Sequence, residues 1–248
     1  MKTLSAFAVV GILAVTGVNA AREVTTEPAE RPQRKSIAVA SAQSARRGEE
    51  ILRALENRYA QVTTIKCPFT QTTVDQTFGE KIESRGAFYL RKPSRLRVEY
   101  EPPDATTILV VDGYTYRYIP KLKQVERYRI DQSNPIVQTN YMLLGFGAAT
   151  EDVLRAYKVS VRSTEGEQAG GKTWVVLTPR QPHDAAFKSI EMLVDDGRAA
   201  PLEFRVTQLD GTKATVRLDL ERLTLDQRMD ERMFRPSFPP DAQIVDMR

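Results

Sequence analysis

Cysteine, histidine and tryptophan are nearly absent from this sequence, at one residue each in 248. A lone Cys67 cannot form an intramolecular disulfide, so packing must hold the fold. A reactive thiol needs a base beside it, and the only histidine, His183, is distant in sequence. Cys67, followed by Pro68-Phe69, suits a small buried apolar residue instead. The same shortage removes most hydrolytic chemistry. A Ser-His-Asp site would have to use His183, whose neighbours Arg180-Gln181-Pro182 and Asp184 spell a polar loop. No G-x-S-x-G elbow precedes a helix. Zinc and EF-hand motifs are missing, as are Gly-rich phosphate loops. Carboxylate pairs such as Asp195-Asp196 sit at turn positions, where solvated turn residues are the ordinary reading. No catalysis, metal or cofactor is expected.

Long apolar runs are missing too. The stretch Leu4 to Val15 is apolar but too short to span a bilayer. Lys2 before it and Val18-Asn19-Ala20 after it fit a Sec signal peptide over 1–20, cleaved after Ala20. No cysteine lies near that point, so the mature chain should carry no N-terminal lipid. Charge of one sign is likewise unconcentrated. Lys and Arg total 36 against 32 Asp and Glu, a formal net charge of +4. With no long basic block and no nucleic-acid motif, a nucleic-acid partner is not expected.

What is present falls into three parts. Residues 21–44 are polar, proline-containing and aperiodic, which predicts a disordered linker. Residues 45–61 carry Ile51, Leu55 and Tyr59 at a spacing of four, beside Leu52 and Val62, which predicts an amphipathic helix. With that helix, residues 45–248 predict one domain, made after it of short alternating strands. KCPFTQTT should begin a strand at its proline. GAFYLRKPSRLRVEY, residues 86–100, gives two strands bent at Lys92-Pro93-Ser94. TILVVD is apolar on both faces and ends at Asp112-Gly113, a strong turn signal. Tyr114, Tyr116 and Tyr118 then share one face, and Pro120-Lys121 turns into LKQVERYRI. KVSVRS, KTWVVLTP, FKSIEMLVDD, LEFRVTQLD and KATVRLDLERLTL follow, punctuated by Gly166, Gly170-Gly171, Asp196-Gly197 and Asp210-Gly211. Few crossover helices separate them, so an antiparallel meander is predicted over a parallel sheet.

Residues 134–158 break that rhythm. Asn134-Pro135 starts a helix that Gly145 or Gly147 ends, and Thr150 can cap a second, with Glu151 and Asp152 in its first turn. The proline-rich FRPSFPPDAQIVD should be an extended edge run or coil. The surplus apolar surface fits a lipid-sized pocket and an ordinary sandwich core alike.

These motifs, in order, resemble the periplasmic outer-membrane lipoprotein carrier family, LolA. The set comprises the N-terminal amphipathic helix, Phe69-Thr70-Gln71, GAFYLRKPSRLRVEY, the proline pair of EPPD, LVVDGYTYRYIP, NPIVQTNYMLL and PPDAQIVD. The family's basic residue before the proline, normally arginine, is Lys92 here. The resemblance implies a mainly β (α+β) fold: an unclosed antiparallel β-barrel, or strongly curved sheet, with an N-terminal helix and a helical lid inserted mid-sheet. It implies a monomeric, non-catalytic periplasmic carrier. Such a carrier takes acylated lipoproteins from an inner-membrane ABC-type release complex to an outer-membrane acceptor or the membrane itself. By position, Lys92 is the lid latch, donating to carbonyls at a lid-helix end, and Leu96 lies near the cavity entrance. The expected acyl-binding residues are Phe88, Leu90, Leu96, Val98, Tyr100, Ile108, Val110, Tyr116 and Tyr118. Ile136, Met142 and Leu143 are expected from the lid. Two other readings stay open: a sensor or receptor for lipidated proteins, and a lipid-modifying hydrolase using Ser189 or His183.

Overall fold

The computed structural model describes residues 31–76, 79–130, 144–163, 170–182, 185 and 187–247. The signal peptide and His183 lie outside this set, as do Ile136, Met142 and Leu143. Helix α1 spans Arg31–Tyr59. It therefore begins well before residue 45, and 31–44 is helix rather than disordered linker. Its buried stripe is Ile51, Leu52, Leu55 and Tyr59, as the spacing predicts.

Among the described residues thirteen strands follow: β1 (Thr64–Val74), β2 (Lys81–Arg91), β3 (Arg95–Tyr100), β4 (Thr106–Val111), β5 (Tyr114–Ile119), β6 (Gln124–Arg129), β7 (Tyr157–Ser163), β8 (Lys172–Pro179), β9 (Phe187–Asp195), β10 (Ala200–Gln208), β11 (Lys213–Leu218), β12 (Thr224–Leu225) and β13 (Gln243–Met247). A short helix α2, Thr150–Ala156, lies between β6 and β7. The strands form one curved sheet that does not close, in the order β13-β6-β5-β4-β3-β2-β1-β11-β10-β9-β8-β7, with β12 beside β1. Every pairing is antiparallel except β13 on β6, which is parallel. The proline-rich tail thus ends as the extended edge run its composition suggested.

Two strand boundaries differ from the sequence reading. Pro68 lies inside β1 rather than at its start. In a strand, the N–H and C=O of one residue point to the same side, and the Pro68 carbonyl accepts from the Asp219 N–H at 2.9 Å. The missing proline donor therefore faces the place where β11 has already left the sheet, so no ladder bond is lost. The run 213–225 is likewise two strands. Asp219 breaks it by accepting from the Arg222 N–H at 3.2 Å and holding its guanidinium at 2.6 Å.

The turn at Asp112-Gly113 has φ of 50° and 78°. Two positive values make the tight hairpin that pairs Val111 with Tyr114. At the far edge, α1 lies along β7. The Ser44 hydroxyl donates to the Val161 carbonyl at 3.1 Å and accepts its N–H at 2.8 Å, so a helix side chain occupies the backbone groups that an edge strand leaves bare. Gly48 permits this approach: a Cβ there would lie 2.5 Å from Val159 Cγ1.

Candidate functional site

The sheet's inner face is built from cross-strand rows. One runs Ile65, Leu90, Leu96, Val110; the next runs Cys67, Phe88, Val98, Ile108. All eight are buried in one hydrophobic cluster. The third row is Phe69, Gly86, Tyr100. A Cβ on Gly86 would meet the Glu99 carbonyl oxygen at 2.3 Å and the Phe69 ring tip at 3.0 Å. Glycine lets the Phe69 and Tyr100 rings meet edge to face, 5.4 Å apart. Beyond them the face turns polar: the Tyr100 hydroxyl donates to Gln71 at 2.8 Å, and Gln71 donates to Thr73 at 3.0 Å. Phe88, Leu90, Leu96, Val98, Tyr100, Ile108 and Val110 therefore do come together on one face. The other half of the floor, including Val175, Leu177, Met192, Phe204 and Val216, went unselected from sequence.

Tyr116 and Tyr118 do not belong to this face. The two-residue turn sets Val110 opposite Thr115 and Leu109 opposite Tyr116. Tyr116 thus shares the outer face with Leu109, where it packs with Val111 and Phe234. Phe238 lies against both tyrosines, with ring centres 5.8 and 5.7 Å away.

The inner face is covered by α1 and by the segment 144–156. Leu144, Phe146, Val153 and Ala156 join the stripe of α1 in the same core. Phe146 is the wedge: its ring sits 5.5 Å from Phe88 on the floor and 5.2 Å from Tyr59 on the helix. Nothing in the sequence period singles it out, because it lies between two glycines outside a regular helix. Helix α2 has Ala149 as its N-cap, without a side-chain cap, instead of Thr150. Its first N–H, that of Thr150, donates to Glu56 of α1 at 3.1 Å. One turn earlier on α1, Arg53 pairs with Glu151 at 2.9 Å. The cover is therefore tied to α1 by Arg53, Glu56 and Tyr59, spaced along one helix face.

Lys92 closes this arrangement. Its Nζ donates to the Tyr59 carbonyl at 2.5 Å. Tyr59 is the last residue of α1, where carbonyls lack intrahelical partners and a cation is favoured. The expectation that Lys92 binds the end of a lid helix is corrected accordingly, since the acceptor belongs to the N-terminal helix. The cover is nevertheless in touch. Gly147 has φ of +87°, and a Cβ there would lie 3.0 Å from Lys92 Nζ and 2.9 Å from Tyr59 Cβ. Burial pulls the ammonium below its ordinary pKa, while Asp226 acts in the opposite direction. Cys67 is fully buried, and burial pushes its thiol up to about 12, so it is an inert floor residue.

The LolA family model, described as "Outer membrane lipoprotein carrier protein LolA", matches residues 60–237. The chain is 25% identical over 183 residues to an outer-membrane lipoprotein carrier protein of Methylococcus capsulatus, covering 74% of this chain and 81% of that one. It is 24% identical over 188 residues to the protein of the same name from Bordetella avium, covering 76% and 83%. Among solved structures, an uncharacterized conserved protein from Thermus thermophilus aligns with a TM-score of 0.49 at 14% identity, covering 80% of this chain and 98% of its own. With the family pattern extending from the end of α1 to residue 237, past the last strand of the antiparallel sheet, the chain belongs to the LolA family.

Proposed function

We propose that this protein is a periplasmic carrier that binds the acyl chains of lipoproteins on the inner face of its sheet. In this reading it receives them from an inner-membrane ABC-type release complex and delivers them to an outer-membrane acceptor or membrane, acting as a monomer after removal of residues 1–20. The carrying observation is the cover: an apolar floor lies under a segment fixed by polar ties at one end of α1. No step in this role requires a catalytic group.

Each buried acyl CH₂ contributes roughly 0.8 kcal/mol, so chains long enough to anchor a lipoprotein need a comparable apolar surface during an aqueous crossing. Phe88, Leu90, Leu96, Val98, Ile108 and Val110 offer that surface once Phe146 is lifted. Phe146 occupies the floor in the closed state and so competes with cargo. The Lys92 bond to the Tyr59 carbonyl, together with the Glu56 and Arg53 ties, sets how strongly it competes. Cargo affinity is then the difference between acyl burial and the cost of opening, which keeps release possible.

The test is uptake. Protein incubated with membranes carrying an acylated lipoprotein should appear in the soluble fraction as a one-to-one complex by native mass spectrometry. Phe88→Asp, which places a charge on the floor, should abolish the complex. A bare chain under all loading conditions would refute the proposal.

A further inference from the structure

The outer face holds a depression that the inner face does not use. Its centre is Pro68 opposite Ala87, a pair of short side chains. One outward position along β1, Lys66 faces Tyr89; one position the other way, Thr70 faces Arg85 and, across the seam, Arg217. Short residues in the middle and long ones at both ends leave a cavity of about 530 Å³. The departure of the chain after Leu218 widens it on the β11 side. A smaller hollow of about 200 Å³, lined by Thr70, Thr72, Glu83, Arg85 and Arg217 among others, prolongs it along β1. The groove is thus elongated in the strand direction.

Its charges are unequally engaged. The main cavity is lined by Lys66, Arg85, Arg217 and Arg222 against Glu101 and Asp219. Arg217 is held by Glu203 at 2.9 Å and Arg222 by Asp219 at 2.6 Å. Among the described residues Lys66 and Arg85 enter no salt bridge, although Arg85 attracts the exposed Glu83, which is itself paired with Lys81; of the two carboxylates in the main cavity, Glu101 is likewise outside any salt bridge. The Lys66 ammonium rests 5.6 Å from the centre of the Tyr89 ring. Lys66 and Thr70, which faces Arg85, are four residues apart, or about 13 Å of strand. A single small anion reaches one of these cations. An extended polypeptide has the same rise, and its positions i, i+2 and i+4 point to one side.

We infer that this groove docks an extended acidic segment of a partner polypeptide. Carboxylates at i and i+4 meet Lys66 and Arg85, and a small apolar side chain at i+2 rests on Pro68 and Ala87. The site is independent of whatever the inner face holds.

Fluorescence anisotropy of the full mature chain with a labelled peptide Asp-Ser-Val-Ser-Asp at low ionic strength tests this. Loss of two exposed charge pairs predicts that Asn-Ser-Val-Ser-Asn binds about 2- to 30-fold more weakly. The respaced peptide Asp-Asp-Val-Ser-Ser, which keeps only the carboxylate at i, should weaken by about 1.5- to 5-fold, and added salt should weaken the parent. The double variant Lys66→Glu/Arg85→Glu should lose binding, and the milder Lys66→Gln/Arg85→Gln should reproduce the loss with an unchanged circular dichroism spectrum. Absence of binding by the parent peptide overturns the inference. So does equal binding of the respaced peptide, or indifference to both double variants.

Discussion

Replacing Lys92 by methionine keeps the unbranched stem and removes the ammonium. In the closed state this deletes the bond to the Tyr59 carbonyl at 2.5 Å and leaves that helix-end carbonyl to water. Charge-assisted hydrogen bonds contribute about 1.5–3 kcal/mol. The lower end applies because Lys92 is only half-buried. If opening lifts the end of α1 off Lys92 together with 144–156, a loss of about 1.5 kcal/mol shifts the closed-to-open ratio roughly tenfold toward open. If cargo binds only the open state, apparent affinity rises by the same factor, since it scales with the open fraction. The assay is titration with a fluorescent acyl probe, followed by the rate of lipoprotein transfer to acceptor vesicles. Tighter binding with slower transfer is the expected pair. The neighbouring Arg91→Met serves as control, because Arg91 pairs with Glu231 on the opposite face and should change neither. Unchanged probe affinity and transfer in Lys92→Met would refute the latch, as would an equal effect from Arg91→Met.

Further expectations concern the supports of the cover and the titrating groups. Glu56→Ala removes the acceptor for the Thr150 N–H and should loosen 144–156 by about 1 kcal/mol or less, the usual worth of an exposed helix cap; amide exchange should accelerate there and stay unchanged in β9. Cys67, with its thiol pushed up to about 12 and fully buried, should resist iodoacetamide in the folded protein at pH 8 and react once denaturant unfolds it. Asp226 accepts from the Thr63 N–H and hydroxyl at 2.7 and 2.9 Å, and these bonds hold its carboxyl below the ordinary range. The unfolded state then binds the proton more readily, so this stability is present above about pH 4 and is lost as pH falls through the depressed value. Urea midpoints across that window should fall less steeply in Asp226→Asn.

The sequence was most legible where one residue class repeats at a fixed period. Ile51, Leu55 and Tyr59 announced the buried face of α1, and Asp112-Gly113 announced a hairpin. It was least legible where the period carries no sign. Residues 107–111 are apolar or half-apolar on both faces, so alternation could not say which set points inward. A turn of two residues then carried Tyr116 and Tyr118 to the outer face. The Lys92 partner was beyond local pattern altogether. The bond joins a strand end to a helix end 33 positions away, and only the packing of α1 on the sheet brings them together. Phe146 was hidden for a related reason, since a single wedge residue in an irregular turn has no periodicity to betray it. The early start of α1 was masked by polar residues that suit an exposed helix as well as a disordered tail.

The strand order also bears on how the molecule assembles. Strands β1 to β6 are neighbours in both sequence and space, and so are β7 to β11. Each half can form through short-range pairing, which is kinetically cheap. In the ladder the halves join where Phe69–Val74 of β1 align with Lys213–Leu218 of β11, a closure spanning more than half the chain. A chain that emerges into an aqueous compartment amino end first completes β1 long before β11 exists. Until then the inner edge of β1 is an unpaired template beside an uncovered apolar floor. This six-residue seam is therefore the step at which a nascent chain is most open to misassociation, and the step that a folding helper would shield.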